Sequence, residues 1–160
     1  MRFPAVERTP AGEFRLRLSG EERRLLRELP GSLRSLLDDE PRDPSLRRLF
    51  PPAYEADEDA EAEYRALVRD ELLEGRRAAL ATLERTAESE VLAEEELHAW
   101  LGALNDLRLV LGTRLGVTEE TYVEELDPAD PRAHELAVYG YLTWLQDELV
   151  SAAADVFPSP

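Results

Sequence analysis

Glu95 and His98 stand three residues apart, a spacing that sets a carboxylate and an imidazole on one helix face and that carboxylate-bridged di-iron bundles use twice. Here the unit occurs once. The residue three positions before the other histidine, His134, is Pro131, and two histidines in 160 residues leave no second metal-binding half. The alternating acids Asp57, Asp59, Glu61 and Glu63 imitate the start of a calcium loop. Ala62 nevertheless occupies the position that needs glycine, and Val68 the one that needs a bidentate glutamate. With no cysteine in the chain, thiolate zinc sites, iron–sulfur clusters, disulfides and thiol switches are excluded. No glycine-rich phosphate loop, nucleophile elbow or serine–histidine–aspartate spacing is present. The expectation is a non-enzymatic protein with no metal and no cofactor.

Arg108 is the residue whose place asks for an explanation. It falls among Leu101, Leu104, Leu111 and Leu115 on a helical wheel, and a guanidinium buried there must be paired. A bidentate contact with a carboxylate of a neighbouring helix fits better than an anionic ligand, and Glu71 is the first candidate, with Glu135 and Asp147 as alternatives. Asn105 flanks the same stripe and could complete the polar network. Asp106 projects the other way and is expected to be solvated. Arg15, Arg17, Arg23, Arg24 and Arg27 form the one basic concentration, diluted by Glu21, Glu22 and Glu28. An exposed face with ion pairs is favoured there over a phosphate footprint.

The elements that carry these residues follow from periodicity and caps. Residues 1–18 alternate weakly about Thr9-Pro10-Ala11-Gly12 and read as a hairpin. Ser19 with Glu22 is a capping box, so a helix starts at Gly20 and runs to about Leu37, bent but not ended by Pro30. A connector over 38–54 is broken by prolines. A second helix from about Glu55 to Thr86 carries the stripe Tyr64, Val68, Leu72, Gly75, Ala79 and Leu83. A glycine inside that stripe costs about 1 kcal/mol against alanine, which predicts a close helix approach at Gly75. A third helix spans about Ala93 to Leu115 and is stopped by Gly116. After a connector over 117–130, Asp130 and Pro131 open a last helix to about Asp155. That helix is apolar nearly all round, with Tyr141 and Trp144 on a flank away from its main stripe. It is either central or closed by a partner. The fold class is mainly α: about four helices in a bundle over 20–155 with a small N-terminal β-hairpin, in a single domain, 1–160.

Arg48-Leu49-Phe50-Pro51 with Tyr54, then Leu104-Asn105-Asp106-Leu107-Arg108-Leu109 and Leu111-Gly112-Thr113-Arg114-Leu115-Gly116, resemble the actinobacterial family DUF2017. Ala137-Val138-Tyr139 and Trp144-Leu145-Gln146 fit the same pattern. The resemblance implies a regulatory or adaptor role, because genes of the family often lie beside that of the ClpS protease adaptor and some members are labelled transcriptional regulators.

The net charge of −16 divides unevenly, +2 over residues 1–50 and −18 over 51–160, so most of the surface repels phosphate and anionic lipid. No apolar run is long enough to cross a membrane, and the N-terminus lacks the stretch of a secretory signal, so a cytoplasmic protein is expected. The function expected is regulation through protein–protein contacts, with Tyr141, Trp144, Arg23, Arg24 and Arg27 as the interaction surface and a homodimer as one form of it. A regulator associated with DNA or RNA polymerase is the alternative, although nucleic acid is disfavoured by charge. A metal-binding or enzymatic bundle is a second alternative.

Overall fold

In the computed structural model, which describes residues 3–40, 42–49, 58–117 and 129–154, four helices pack with a small three-stranded antiparallel sheet. Strand β1 (Val6–Arg8) and strand β2 (Phe14–Leu16) form the expected hairpin, Val6 opposite Leu16 and Arg8 opposite Phe14. Gly12 closes its turn at φ +82°, a left-handed conformation that favours a residue without Cβ. A third strand, β3 (Val91–Leu92), adds to the far edge of β2 with Phe14 opposite Leu92. The hairpin reading did not include it. Two residues are too short a run to show period 2, and the partner lies more than seventy positions away.

Helix α1 (Gly20–Asp39) begins where the capping box requires. The Glu22 amide donates to Ser19 Oγ at 3.2 Å, and the Ser19 amide donates to Glu22 Oε2 at 2.6 Å. The helix continues through Pro30, which is buried. A 3-10 turn (Pro44–Leu46) follows, opened by Asp43, whose carboxylate accepts from the Ser45 amide at 2.8 Å. Those hydrogen bonds from Ser45 hold the Asp43 carboxyl below its ordinary range. Helix α2 (Glu58–Thr86) leads through β3 into helix α3 (Glu94–Leu115), which Gly116 ends at φ +65°. The Ala93 amide at its head donates to Glu96 Oε1 at 2.8 Å. Helix α4 (Ala133–Ala154) starts two residues later than Pro131 would place it, after a turn in which the Ala133 amide donates to the Asp130 carbonyl. Arg132 donates to the Leu115 carbonyl at 2.8 Å and so fastens the start of α4 to the end of α3.

Helix α3 is the centre of the bundle, in contact with α1, α2, α4 and the 3-10 turn. Trp100 is fully buried on it and donates from Nε1 to Thr86 Oγ1 at 2.7 Å. Around it lie Leu97, Leu104, Leu80, Leu83, Leu142, Leu145 and Leu149, with Phe14 and Leu92 closing the sheet side. Helix α4 packs on α3 and β1. At Gly112 it packs so close that an added Cβ would stand 3.0 Å from the Tyr139 ring.

The stripe expected for α2 meets the core only in its second half, at Ala79 and Leu83. Leu73, Leu80, Leu83 and Ala87 face the core, whereas Tyr64, Leu67 and Leu72 are 63%, 68% and 40% exposed. An added Cβ at Gly75 would meet nothing within 4 Å, so the glycine that admits a neighbouring helix is Gly112. Leu72 and Leu83, eleven residues apart, share a face of α2, so their difference is one of position along the helix: the core covers its second half and leaves most of the first exposed.

Candidate functional site: an apolar trough between α1, α3 and α4

Helices α1 and α4 both lean on α3 without closing over it. The gap is an open trough of about 300 Å³. Leu25, Leu29 and Leu36 of α1 make one wall, Val138 and Leu142 of α4 the other, and Leu107, Val110 and Leu111 of α3 the floor. The α1 residues recur at four and seven positions, so one helix face supplies the whole wall. Arg114, His134 and Glu135 stand at one end. Ser32, Ser35, Asp39 and Glu40 continue the depression past that end.

Tyr141 and Trp144 form an aromatic ridge on α4 outside the residues that line the trough, their rings 5.8 Å apart and tilted by 37°. Trp144 is 43% exposed, while Tyr141 packs against the core. The Tyr141 hydroxyl is buried beside the Glu22 side chain of α1. Burial, reinforced by the nearby Glu22 charge, pushes its pKa well above the ordinary value.

Glu28, Ser32, Ser35 and Asp39 follow one another at four, three and four residues along the outer edge of α1. Glu21 falls on the same line two turns earlier, and all five are exposed. The α1 edge is therefore acidic and hydroxylic, whereas the α4 edge is aromatic.

Several residues singled out from the sequence sit elsewhere than expected. Arg108 is half-buried rather than buried, and its partners are neutral groups of α4: Nε donates to Thr143 Oγ1 at 3.0 Å, the guanidinium also donates to Gln146 Oε1, and the Tyr139 ring lies 5.8 Å away. Glu71 is exposed on α2 and does not pair with it. Asn105 is half-buried next to Asp106. Asp106, expected in solvent, is buried and pairs with Arg76, which also donates to the Leu49 carbonyl at 2.8 Å. This junction ties α2, α3 and the chain after the 3-10 turn together. Desolvation raises the Asp106 pKa against the pull of Arg76. The wheel misled here because α3 is covered on several sides, so its true buried arc is wider than the leucine stripe.

Of the arginines, Arg23 is committed to the fold. Its guanidinium donates to the carbonyls of Leu16, Ala87 and Ser89 at 3.3, 3.0 and 2.6 Å. Arg27 pairs with Glu88 at 3.2 Å on the surface, and Arg24 is exposed. His98 is an exposed residue 4.0 Å from Glu94, and among the described residues no group of three or more histidines and acids is placed to hold a metal ion. No helix among them is long and apolar enough to cross a membrane.

The family model described as a domain of unknown function, DUF2017, matches residues 3–153. The chain is 31% identical to the protein named oxidative stress regulator AosR of Mycobacterium tuberculosis over 188 aligned residues, which cover 93% of this chain and 86% of that one. The protein of the same name from Mycobacterium bovis matches equally. An alignment longer than this 160-residue chain means that those relatives carry inserted residues. No solved structure matches the chain.

Proposed function

The chain belongs to the DUF2017 family, and from that premise we propose that it is a non-enzymatic regulator acting through protein–protein contact, with the α1–α3–α4 trough as the contact site. The observation that carries this reading is an apolar trough in which Leu25, Leu29, Leu111 and Val138 remain partly exposed beside an aromatic ridge. Such a surface fits a partner better than a substrate. Its polar lining is Arg114, His134 and Glu135 at one end and the Ser32 hydroxyl on the α1 side, and the remaining lining is hydrocarbon.

The relatives' name, oxidative stress regulator, supports a regulatory role. It also sharpens that role for this chain. With no cysteine, and with Met1 as its one methionine, the sequence offers almost no sulfur to an oxidant. A role in oxidative stress for this chain would therefore not run through a thiol of its own.

The test is capture from the source cell with immobilised wild type and Val138→Glu, both after nuclease treatment. A protein held by wild type and lost from a folded Val138→Glu variant supports the reading. Recovery of DNA alone from samples without nuclease overturns it in favour of the DNA-associated alternative. Against that alternative, Arg23 and Arg27 already have protein partners.

A further inference from the structure

We propose that the trough is shaped for one amphipathic helix of the partner, carrying apolar residues on the inserted face and arginine or lysine along the single flank that faces α1. The inference rests on the contact reading above and specifies its chemistry.

Size comes first. A space of about 300 Å³ accepts a few side chains and not a whole helix, so the partner's backbone stays above the rim while a row of its side chains enters. From Leu25 to Leu36 the wall runs three helical turns, about 16 Å, which matches the same number of turns laid alongside. Apolar anchors at three- and four-residue intervals would meet the partly exposed Leu25, Leu29, Leu111 and Val138.

Charge then fixes the flanks. The partner's backbone, held at the height of the rim, brings the residues beside its apolar row against the two edges. On α1 that edge presents Glu21, Glu28 and Asp39, with Ser32 and Ser35 between them. On α4 it presents Ala137, Tyr141 and Trp144, with Glu148 beyond. Arg24 stands on the same line, three residues after Glu21 and four before Glu28, so the edge carries three carboxylates against one guanidinium; Arg114, at the end, is already 3.7 Å from Asp43. One flank of the partner therefore meets carboxylates and hydroxyls, and the other meets the exposed Trp144 ring, on which apolar or cationic groups are welcome. An acidic flank against α1 would be repelled, so the asymmetry also sets which way round the helix lies.

The protein contains its own reporter. Trp144 stands on the ridge, whereas the other tryptophan, Trp100, is sealed in the core. The probe is a synthetic helical peptide with a leucine row and arginines along one flank, and its counterpart has glutamates there. Titration of the whole protein with the arginine peptide should shift Trp144 emission with saturation, and the glutamate peptide should leave it unmoved.

Any acidic protein attracts a basic peptide, so the deciding variant is Val138→Glu, which makes the trough more acidic while spoiling its apolar wall. The expected result is at least a tenfold loss of affinity, with Glu28→Arg also weakening the arginine peptide. Equal or tighter binding to Val138→Glu means bulk electrostatics and overturns the proposal. So does an absent shift with the arginine peptide, even where a cellular partner is still captured through Val138, which keeps the contact reading standing alone. A wild type that sediments as a dimer and a Val138→Glu variant that sediments as a monomer would put a second copy in the trough and overturn it equally.

Discussion

Arg23 shows how one side chain can hold parts of the chain that no ladder joins. Its guanidinium gathers the end of β2, the end of α2 and the start of β3 onto the first turn of α1. Charged donors to carbonyls are worth more than neutral ones, and the acceptors left behind would be partly shielded from water. Arg23→Met is expected to lower unfolding free energy by about 2 to 3 kcal/mol, whereas Arg24→Met, one position on and exposed, should change it by less than about 0.5 kcal/mol; urea denaturation of the two variants checks the contrast. The sequence showed an arginine cluster at 23, 24 and 27 but not which member turned inward, because carbonyl acceptors leave no mark in residue type. The same blindness affected Arg108 and Asp106. The wheel placed Arg108 inside and Asp106 outside, yet Asp106 is the buried one, reached by Arg76 from a helix thirty residues away.

At the scale of elements, what local chemistry governs was legible. The Ser19–Glu22 box, the glycine stop at Gly116 and the turn at Gly12 each put an element boundary within a residue or two of its place. What depends on distant partners was not: β3 exists because β2 offers an edge, and the stripe of α2 is buried at Leu83 but exposed at Tyr64 and Leu72, because only the second half of the helix has the core beside it. The trough itself could not be read from sequence, since it is an absence of contact between α1 and α4. Glycines give a measurable consequence. Gly102 and Gly140 lie within helices with open space about them, so Gly102→Ala and Gly140→Ala should each stabilise by about 1 kcal/mol. Gly112→Ala should gain clearly less or lose, because its methyl would press on the Tyr139 ring. Thermal melts of the three variants rank them, and a Gly112→Ala gain equal to the others would show that α4 is free to shift.

For the whole molecule, charge governs who can approach. The −18 carried by residues 51–160 outweighs the +2 of the first fifty, and two of the arginines that might have offset it are bound to the protein itself. DNA affinity at physiological salt should accordingly be weak and indifferent to sequence; a titration giving a sequence-specific Kd tighter than about 10⁻⁸ M would contradict this. The order of elements along the chain has a consequence during synthesis. Strand β2 is made by residue 16, but the strand that covers its edge ends at residue 92. At about 5 to 20 residues per second, a ribosome leaves that edge open for roughly 4 to 15 s while α1 and α2 emerge. An uncovered edge is a template for pairing with neighbouring nascent chains. Three residues of strand, with Pro4 before the hairpin and a charged Arg15 between Phe14 and Leu16, give such neighbours little to hold, so the brevity of the sheet protects the chain while it is still being made.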